Sequence, residues 1–303
     1  MRTPRRASTF DRVLLFLDVT SDADSAMESA AALALRLQVP LMTVFVDHGD
    51  LQALEDHPFA CTIELPTGLG HPVERGSLQR HWRAMARRTQ RRLAQMASHH
   101  RLEAEFRLLR GDIRRELRLL SAPGDLMVVE SSGRPVTPHT RVRSRGHIIA
   151  RNLPAPVVFV GARHQSLRSV ALLYDGSATA ERGLKTALAL TAEGEALLSL
   201  VCVGARGDEM QKLQSRVRRR MARQGRRVHI HARRICGRDT RAITYVATQM
   251  GANFMIVPAC DTYPGGTDID QLSQTLDCPV LVLRSQFGDE SDDSDCWRAA
   301  VEG

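Results

Sequence analysis

Short apolar runs alternate with amphipathic stretches along the 303-residue chain, and the alternation runs through its sequence twice. Arg12–Leu17 is an apolar run of strand length that ends at Asp18. Ala26–Leu37 is rich in Ala and Leu and predicts a helix, and Leu41–Val46 predicts a second strand. A long connection, Asp47–Gly76, follows, with Pro58, Pro66 and Gly68-Leu-Gly70 as breakers. Beyond it, Leu78, Trp82, Met85, Thr89, Leu93 and Met96 recur at spacings of three and four. That is one apolar stripe of a helix, whose other faces carry Arg80, Arg83, Arg87, Arg88, Arg91 and Arg92. Glu103–Leu109 predicts a strand, Gly111-Asp112 a turn, and Ile113, Leu117 and Leu120 the inner face of a short helix. Leu126–Val129 and Pro156–Val160 predict two more strands.

The second half repeats this order. Val170–Tyr174 is a strand ending at Asp175, and Leu184, Ala187 and Leu188 mark the next helix. Leu197–Val203 is a strand, and Met210, Leu213, Val217 and Met221 mark a long basic helix. Val228–Ile235 is a strand, followed by Gly237 and a helix bearing Ile243, Val246 and Met250. Phe254–Val257 and Val280–Leu283 close the series. Strands alternating with helices pair in parallel through right-handed crossovers. The expected fold class is α/β: two tandem five-stranded parallel doubly wound sheets, Rossmann-like and of nucleotide-binding type, with flanking helices.

Particular residues carry the repeat. Val13-Leu-Leu-Phe-Leu-Asp18 echoes Val170-Ala-Leu-Leu-Tyr-Asp175, and Leu126-Met-Val-Val129 echoes Phe254-Met-Ile-Val257. Ala155-Pro-Val-Val158 echoes Cys278-Pro-Val-Leu281, and Gly111 and Gly237 hold the same place. The expected division is a basic extension over 1–10, a first domain over 11–161, a linker over 162–168 and a second domain over 169–285. An acidic tail over 286–303 carries Asp289, Glu290, Asp292, Asp293 and Asp295 and is expected to be disordered.

Composition narrows the classes. An apolar fraction of 43% supports a core in each half. No run approaches the ~20 apolar residues that span a bilayer. Val13–Leu17 is too short for a signal-peptide core, so a cytoplasmic protein without a membrane partner is expected. Cys61, Cys202, Cys236, Cys260, Cys278 and Cys296 form no C-x-x-C pair and read as buried reduced thiols. The net charge of +8 is almost all arginine, since lysine occurs only at 185 and 212. The arginine faces over 80–92 and 216–227 could track phosphates, but stacking aromatics and a helix-turn-helix signature are absent, so solvated helix faces are the preferred reading.

The order of elements, Asp175-Gly-Ser177 after a first strand and the Cys278-Pro-Val-Leu-Val ending together resemble the universal stress protein family in its tandem form. The segment from Phe45-Val-Asp-His-Gly-Asp-Leu51 through His57-Pro-Phe-Ala60 resembles the same region of some members. The likeness covers residues 11–284. It implies five parallel strands per unit and halves paired through their last strands as an intramolecular pseudo-dimer. Members that bind ATP carry G-x-x-G, nine residues, then G-[S/T] between the fourth strand and the last helix. There, glycines let backbone N–H groups approach phosphates at a helix N-terminus.

That loop is eroded here. In the first half an ungapped comparison sets Glu130, Gly133 and Arg143-Ser144 on the motif, and only Gly133 and Ser144 match. Glu130 would set a carboxylate near the phosphates, at a cost of roughly 4 kcal/mol for like charges ~4 Å apart. Mg²⁺ or Arg134, Arg141, Arg143 and Arg145 could offset it. In the second half Gly266-Thr267 matches the final pair, but the preceding loop, 258–265, is about five residues short of the family pattern and lacks G-x-x-G. Candidate nucleotide contacts are therefore Asp18, Gly133 and Ser144 in one half, and Asp175, Gly176, Ser177, Gly266 and Thr267 in the other. Ser177 and Thr267 equally fit helix N-caps, and Asp18 and Asp175 fit turns.

His229 and His231, two apart on a strand, read as surface histidines rather than a metal site, and His99-His100 suits a helix C-terminus. No G-x-S-x-G, H-E-x-x-H or G-x-x-x-x-G-K-[S/T] occurs, so no catalytic residue is assigned. The expected function is a non-catalytic stress-response or regulatory protein that binds a protein partner, itself or a small ligand, with no resident cofactor. Two alternatives stand beside it: ATP with magnesium bound or weakly hydrolysed through the second half, and nucleic acid held on the arginine faces.

Overall fold

The computed structural model describes residues 9–18, 23–47, 59, 61–63, 67–72, 76–110, 116, 119–122, 124–130, 134–137, 140–142, 155–161, 167–191, 197–203, 207–222, 229–235, 239–259, 271–272, 275–276 and 278–284. Ten strands form one sheet. Five belong to the first half: β1 (Arg12–Leu17), β2 (Leu41–Asp47), β5 (Ala104–Arg110), β6 (Asp125–Glu130) and β9 (Val157–Val160). The other five are β10 (Ser169–Tyr174), β11 (Leu197–Val203), β12 (His229–Ile235), β13 (Phe254–Pro258) and β14 (Val280–Leu283). The order across the sheet is β12-β11-β10-β13-β14-β9-β6-β1-β2-β5.

Read outward from the centre, the two sides have the same strand order. Within each side every pairing is parallel. The sides meet at one antiparallel pairing, Val280 opposite Phe159, Leu281 opposite Val158 and Val282 opposite Val157. β9 and β14 are apolar and fully buried, so neither leaves an open edge at the centre.

The strand interiors are hydrocarbon on both faces because helices cover both. One face carries α1 (Ala23–Leu37), α2 (Ser77–His100), α3 (Ala178–Leu190) and α4 (Gly207–Ala222). Their inward residues, among them Met27, Leu33, Trp82, Leu93, Leu184 and Val217, join Leu15, Leu17, Leu172 and Leu200 in one core that runs through both halves. The other face packs Ile243 and Ala247 of α5 (Thr240–Gln249), with Leu272 and Leu276, against Phe16, Val129, Phe159, Val201 and Val257. α1 and α3 touch across the seam between the halves. At Gly183 of α3 an added Cβ would come within 2.8 Å of Leu172 Cδ1, so the helix seats closely on β10.

Two features depart from the sequence expectation. The connection over 47–76 contains an antiparallel pair, β3 (Cys61–Ile63) with β4 (Gly70–Pro72). Cys61 is therefore an exposed thiol rather than a buried one, whereas Cys202 and Cys278 are buried. The segment after β6, where the ungapped comparison set a phosphate loop, contains a second hairpin, β7 (Arg134–Thr137) with β8 (Thr140–Val142). Pairing of Arg134 with Val142 and of Thr137 with Thr140 spans the nine residues between Gly133 and Arg143, which themselves lie outside the described residues. The short helix after Gly111 is described at Glu116 and at Leu119 and Leu120. Leu120 packs on the second core, whereas Leu119 is exposed.

Candidate functional site

In an open parallel sheet the crevice lies beyond the carboxyl ends of the strands where the order reverses. Here that point falls between β1 and β6 in the first half and between β10 and β13 in the second. The register aligns the two crevices residue by residue. Phe16 stands opposite Val129 and Leu172 opposite Ile256. Carried forward, Glu130 is the counterpart of Pro258 and Asp18 that of Asp175.

The first crevice ends in two acidic residues, Asp18 and Glu130, each only 1% exposed. Neighbouring groups engage both. Buried carboxylates need such compensation. Gly133 and Ser144 lie outside the described residues.

The second crevice is built differently. Asp175 Oδ1 accepts from the Ser177 backbone N–H at 3.0 Å and from Ser177 Oγ at 2.7 Å. Ser177 Oγ in turn accepts the Ala180 N–H at 3.1 Å, which makes Ser177 the N-cap of α3. Gly176 between them has φ +88°, a conformation that side chains resist. Asp175-Gly-Ser177 is thus a turn and cap in which Asp175 Oδ1 and Ser177 Oγ bond locally. Gly266 and Thr267 lie outside the described residues.

Beside this turn lies a group that the apolar pattern did not reveal. Tyr174, the last residue of β10, donates its hydroxyl to Glu181 of α3 and accepts from Arg216 Nη2 of α4 at 2.7 Å, while Arg216 also pairs with Glu181. Burial, reinforced by the carboxylate of Glu181, pushes the Tyr174 hydroxyl up to about 12. Burial alone pushes the Cys202 thiol on β11 up to about 11, far from the reactive range. The first half has an echo on its helices, where Arg92 of α2 reaches Glu28 at 3.3 Å and Asp24 at 3.9 Å on α1.

At the opposite end of the sheet, Arg12 holds Asp125 through two charge-assisted bonds, Nε to Oδ1 at 2.7 Å and Nη2 to Oδ2 at 2.8 Å. The bond to Asp125 raises the Arg12 guanidinium above its ordinary value. Asp125 also accepts the Ala122 N–H at 2.8 Å, so this is a brace rather than a site.

His231 is exposed on β12, and no group of three or more His, Cys, Asp or Glu side chains among the described residues could hold a metal ion. Trp82 is 1% exposed and donates its ring N–H to the Val46 carbonyl, so the basic face of α2 offers no free indole for stacking. Among the described residues no helix is long and apolar enough to cross a membrane.

The sequence matches no protein-family model and no curated protein. Solved structures do match. A universal stress protein from Archaeoglobus fulgidus superposes with a TM-score of 0.62 at 16% identity, covering 92% of this chain and 98% of that one. A functionally unknown protein from Pseudomonas aeruginosa gives 0.54 at 14% identity over 91% of this chain and 92% of its own. A universal stress protein of another Pseudomonas aeruginosa strain gives 0.53 at 13% identity over 91% and 93%. At these identities the likeness is one of fold, and it extends from one end of the sheet to the other. The chain has the fold of a universal stress protein in tandem form, two α/β units closed into one sheet through their last strands.

Proposed function

We propose that this protein is a non-catalytic regulatory protein of the cytoplasm, of the stress-response type, that works by binding a protein partner or a small ligand. The observation that carries the reading is the chemistry at the two crevices. One presents Glu130, a buried carboxyl, in the place of a motif glycine, with Asp18 buried beside it, and the other uses Asp175 and Ser177 in its own turn and helix cap. The fold relatives named as universal stress proteins support the stress-response assignment.

The test is titration calorimetry of the full chain with ATP and Mg²⁺. The expected outcome is no binding in the micromolar range, and a micromolar heat signal overturns the reading. The alternative, ATP binding through the second half, is favoured over the first by Pro258, which puts no carboxylate where Glu130 stands. Under it, Gly266→Val weakens the binding, and an unchanged affinity places the site elsewhere.

A further inference from the structure

The basic face of α2 borders a groove. Together with β5, an outer strand of the sheet, it encloses about 450 Å³ lined by Trp82, Arg83, Ala86, Arg87, Gln90, Phe106, Leu108 and Arg110. Its floor is apolar: Trp82 and Ala86 are buried, and Phe106 packs against the core. Leu108, 42% exposed, gives it an apolar wall open to solvent. Its rim is cationic. Arg110 lies over the Trp82 ring, with Cζ 5.4 Å from the centroid, a cation–π contact that holds the guanidinium over the floor.

Arg83 and Arg87 are exposed and stand one helical turn apart, and neither has an ion-pair partner among the described residues. Like charges at that spacing destabilise a helix, so an anion between them relieves a strain that α2 otherwise carries. Two guanidinium forks at helical spacing also suit paired oxygens of a carboxylate or phosphate.

The second half supplies a control within the same molecule. Aligning α4 with α2 on Arg216 and Arg92, which make the corresponding interhelical ion pairs, sets Gln211 in the place of Arg87 and Gly207 in that of Arg83. The strand register sets Ala232 in the place of Phe106 and Arg234 in that of Leu108. The cationic pair and the apolar wall at Leu108 are therefore features of the first half, not by-products of the fold. The floor stays apolar in both, with Met210 and Ala232 in the places of Ala86 and Phe106.

We propose that this groove binds an organic anion with an apolar body: a carboxylate or phosphate monoester whose hydrocarbon lies along Phe106 and Leu108 while its oxygens meet Arg83 and Arg87. The proposal deepens the small-ligand reading above by naming a ligand class. It is separable from the nucleotide question, because the groove and the crevices use different residues.

The experiment titrates the full chain with octanoate, octyl phosphate, 1-octanol and inorganic phosphate, each by calorimetry. Octanoate or octyl phosphate binds, and the tighter of the two names the head group. Octanol and inorganic phosphate each bind at least about tenfold more weakly, since each lacks one half of the recognition. The Arg83→Gln/Arg87→Gln double variant loses about tenfold or more in affinity for the anion, and Arg83→Lys/Arg87→Lys retains part of it. Unchanged circular dichroism shows that the glutamine variant is folded. Octanol binding as tightly as the anions, inorganic phosphate binding as tightly, or a folded glutamine variant of unchanged affinity would each overturn the assignment. Binding of ATP at micromolar concentration overturns the functional reading above and leaves this groove standing if Arg83→Gln/Arg87→Gln does not affect it.

Discussion

The two halves share a strand order and a core, yet they secure the ends of their first and fourth strands with different chemistry. At the amino ends the register sets Arg12 and Asp125 in the places of Ser169 and Asn253. The first pair is a forked ion pair with Asp125 only 1% exposed. In the second, the Asn253 side-chain oxygen accepts the Ser169 N–H at 2.9 Å and the Arg168 N–H at 3.2 Å, with no charge. At the carboxyl ends, Leu17 and Phe45 in the first half become Tyr174 and Cys202 in the second. The strand interiors exchange mostly hydrocarbon for hydrocarbon, such as Phe16 for Leu173, because both faces are covered. The second strands depart from this, with Thr43 in the place of Leu200 and Ser199 in that of Met42. Strand ends meet loops and solvent, so they are where a duplicated fold can acquire separate chemistry.

The largest expected difference lies at the braces. Asp125→Ala strips Arg12 and the Ala122 N–H of their shared acceptor. Breaking a buried ion pair costs about 3–5 kcal/mol, and the quarter-exposed Arg12 side chain places this one at the lower end, ~3 kcal/mol. Asn253→Ala removes two neutral bonds, one from an exposed N–H, and is expected to cost ~1–2 kcal/mol. Urea unfolding of both variants checks this. Equal losses would mean that the charge adds nothing to the brace.

Alkaline pH should separate the halves next. Tyr174 and Cys202 both have raised values in the folded protein, about 12 against 10.0 and about 11 against 9.0. The folded state then holds protons that the unfolded chain has already released. The stabilisation is complete below pH 9 and falls as pH rises, between 9 and 11 for the thiol and between 10 and 12 for the phenol. Two units correspond to roughly 2–3 kcal/mol for each group. Tyr174→Phe should flatten the stability profile over the upper window and Cys202→Ala over the lower. A wild-type profile level from pH 9 to 12 would show that neither group titrates as its burial requires.

Much of the fold was legible in the sequence because period and burial coincide. The stripe from Trp82 to Leu93 faces the core, and the apolar runs at Val13, Leu126, Val170 and Phe254 are the central strands. The hairpins were not legible. Arg134-Pro-Val-Thr137 and Cys61-Thr-Ile63 carry no alternating pattern long enough to distinguish a short ribbon from a connection. Cys61 reads as a buried thiol from residue type alone, and only its place on a surface hairpin exposes it. Ser177 was legible as a cap because Ser two residues after Asp, before a helical run, states its local bonds. The Tyr174–Glu181–Arg216 group was not, since its members come from three elements and nothing local marks them.

Capping gives a smaller test, on one half alone. Ser177→Ala removes the acceptor of the Ala180 N–H and one donor to Asp175, with an expected loss of ~1 kcal/mol. Asp239→Ala, which uncaps α5 at the Arg241 and Ala242 N–H groups, should cost a similar ~1 kcal/mol. A Ser177→Ala loss well above that of Asp239→Ala would show that the Asp175-Gly-Ser177 turn stabilises more than its helix.

The smallest effects should be alike in the two halves and opposite in sign to the rest. Each second strand buries a hydroxyl without a hydrogen-bond partner among the described residues, Thr43 on β2 and Ser199 on β11. Both residues are fully buried. A buried hydroxyl with no partner forfeits its bonds to water, so deleting it without changing shape is neutral or favourable. Thr43→Val and Ser199→Ala are therefore expected to raise unfolding free energy by up to ~1 kcal/mol each, read from the urea midpoint at constant slope. Gains of this kind in both halves would show that neither hydroxyl, each set where the other half has hydrocarbon (Leu200 for Thr43, Met42 for Ser199), stabilises its strand. A loss on either side would reveal a bond to that hydroxyl.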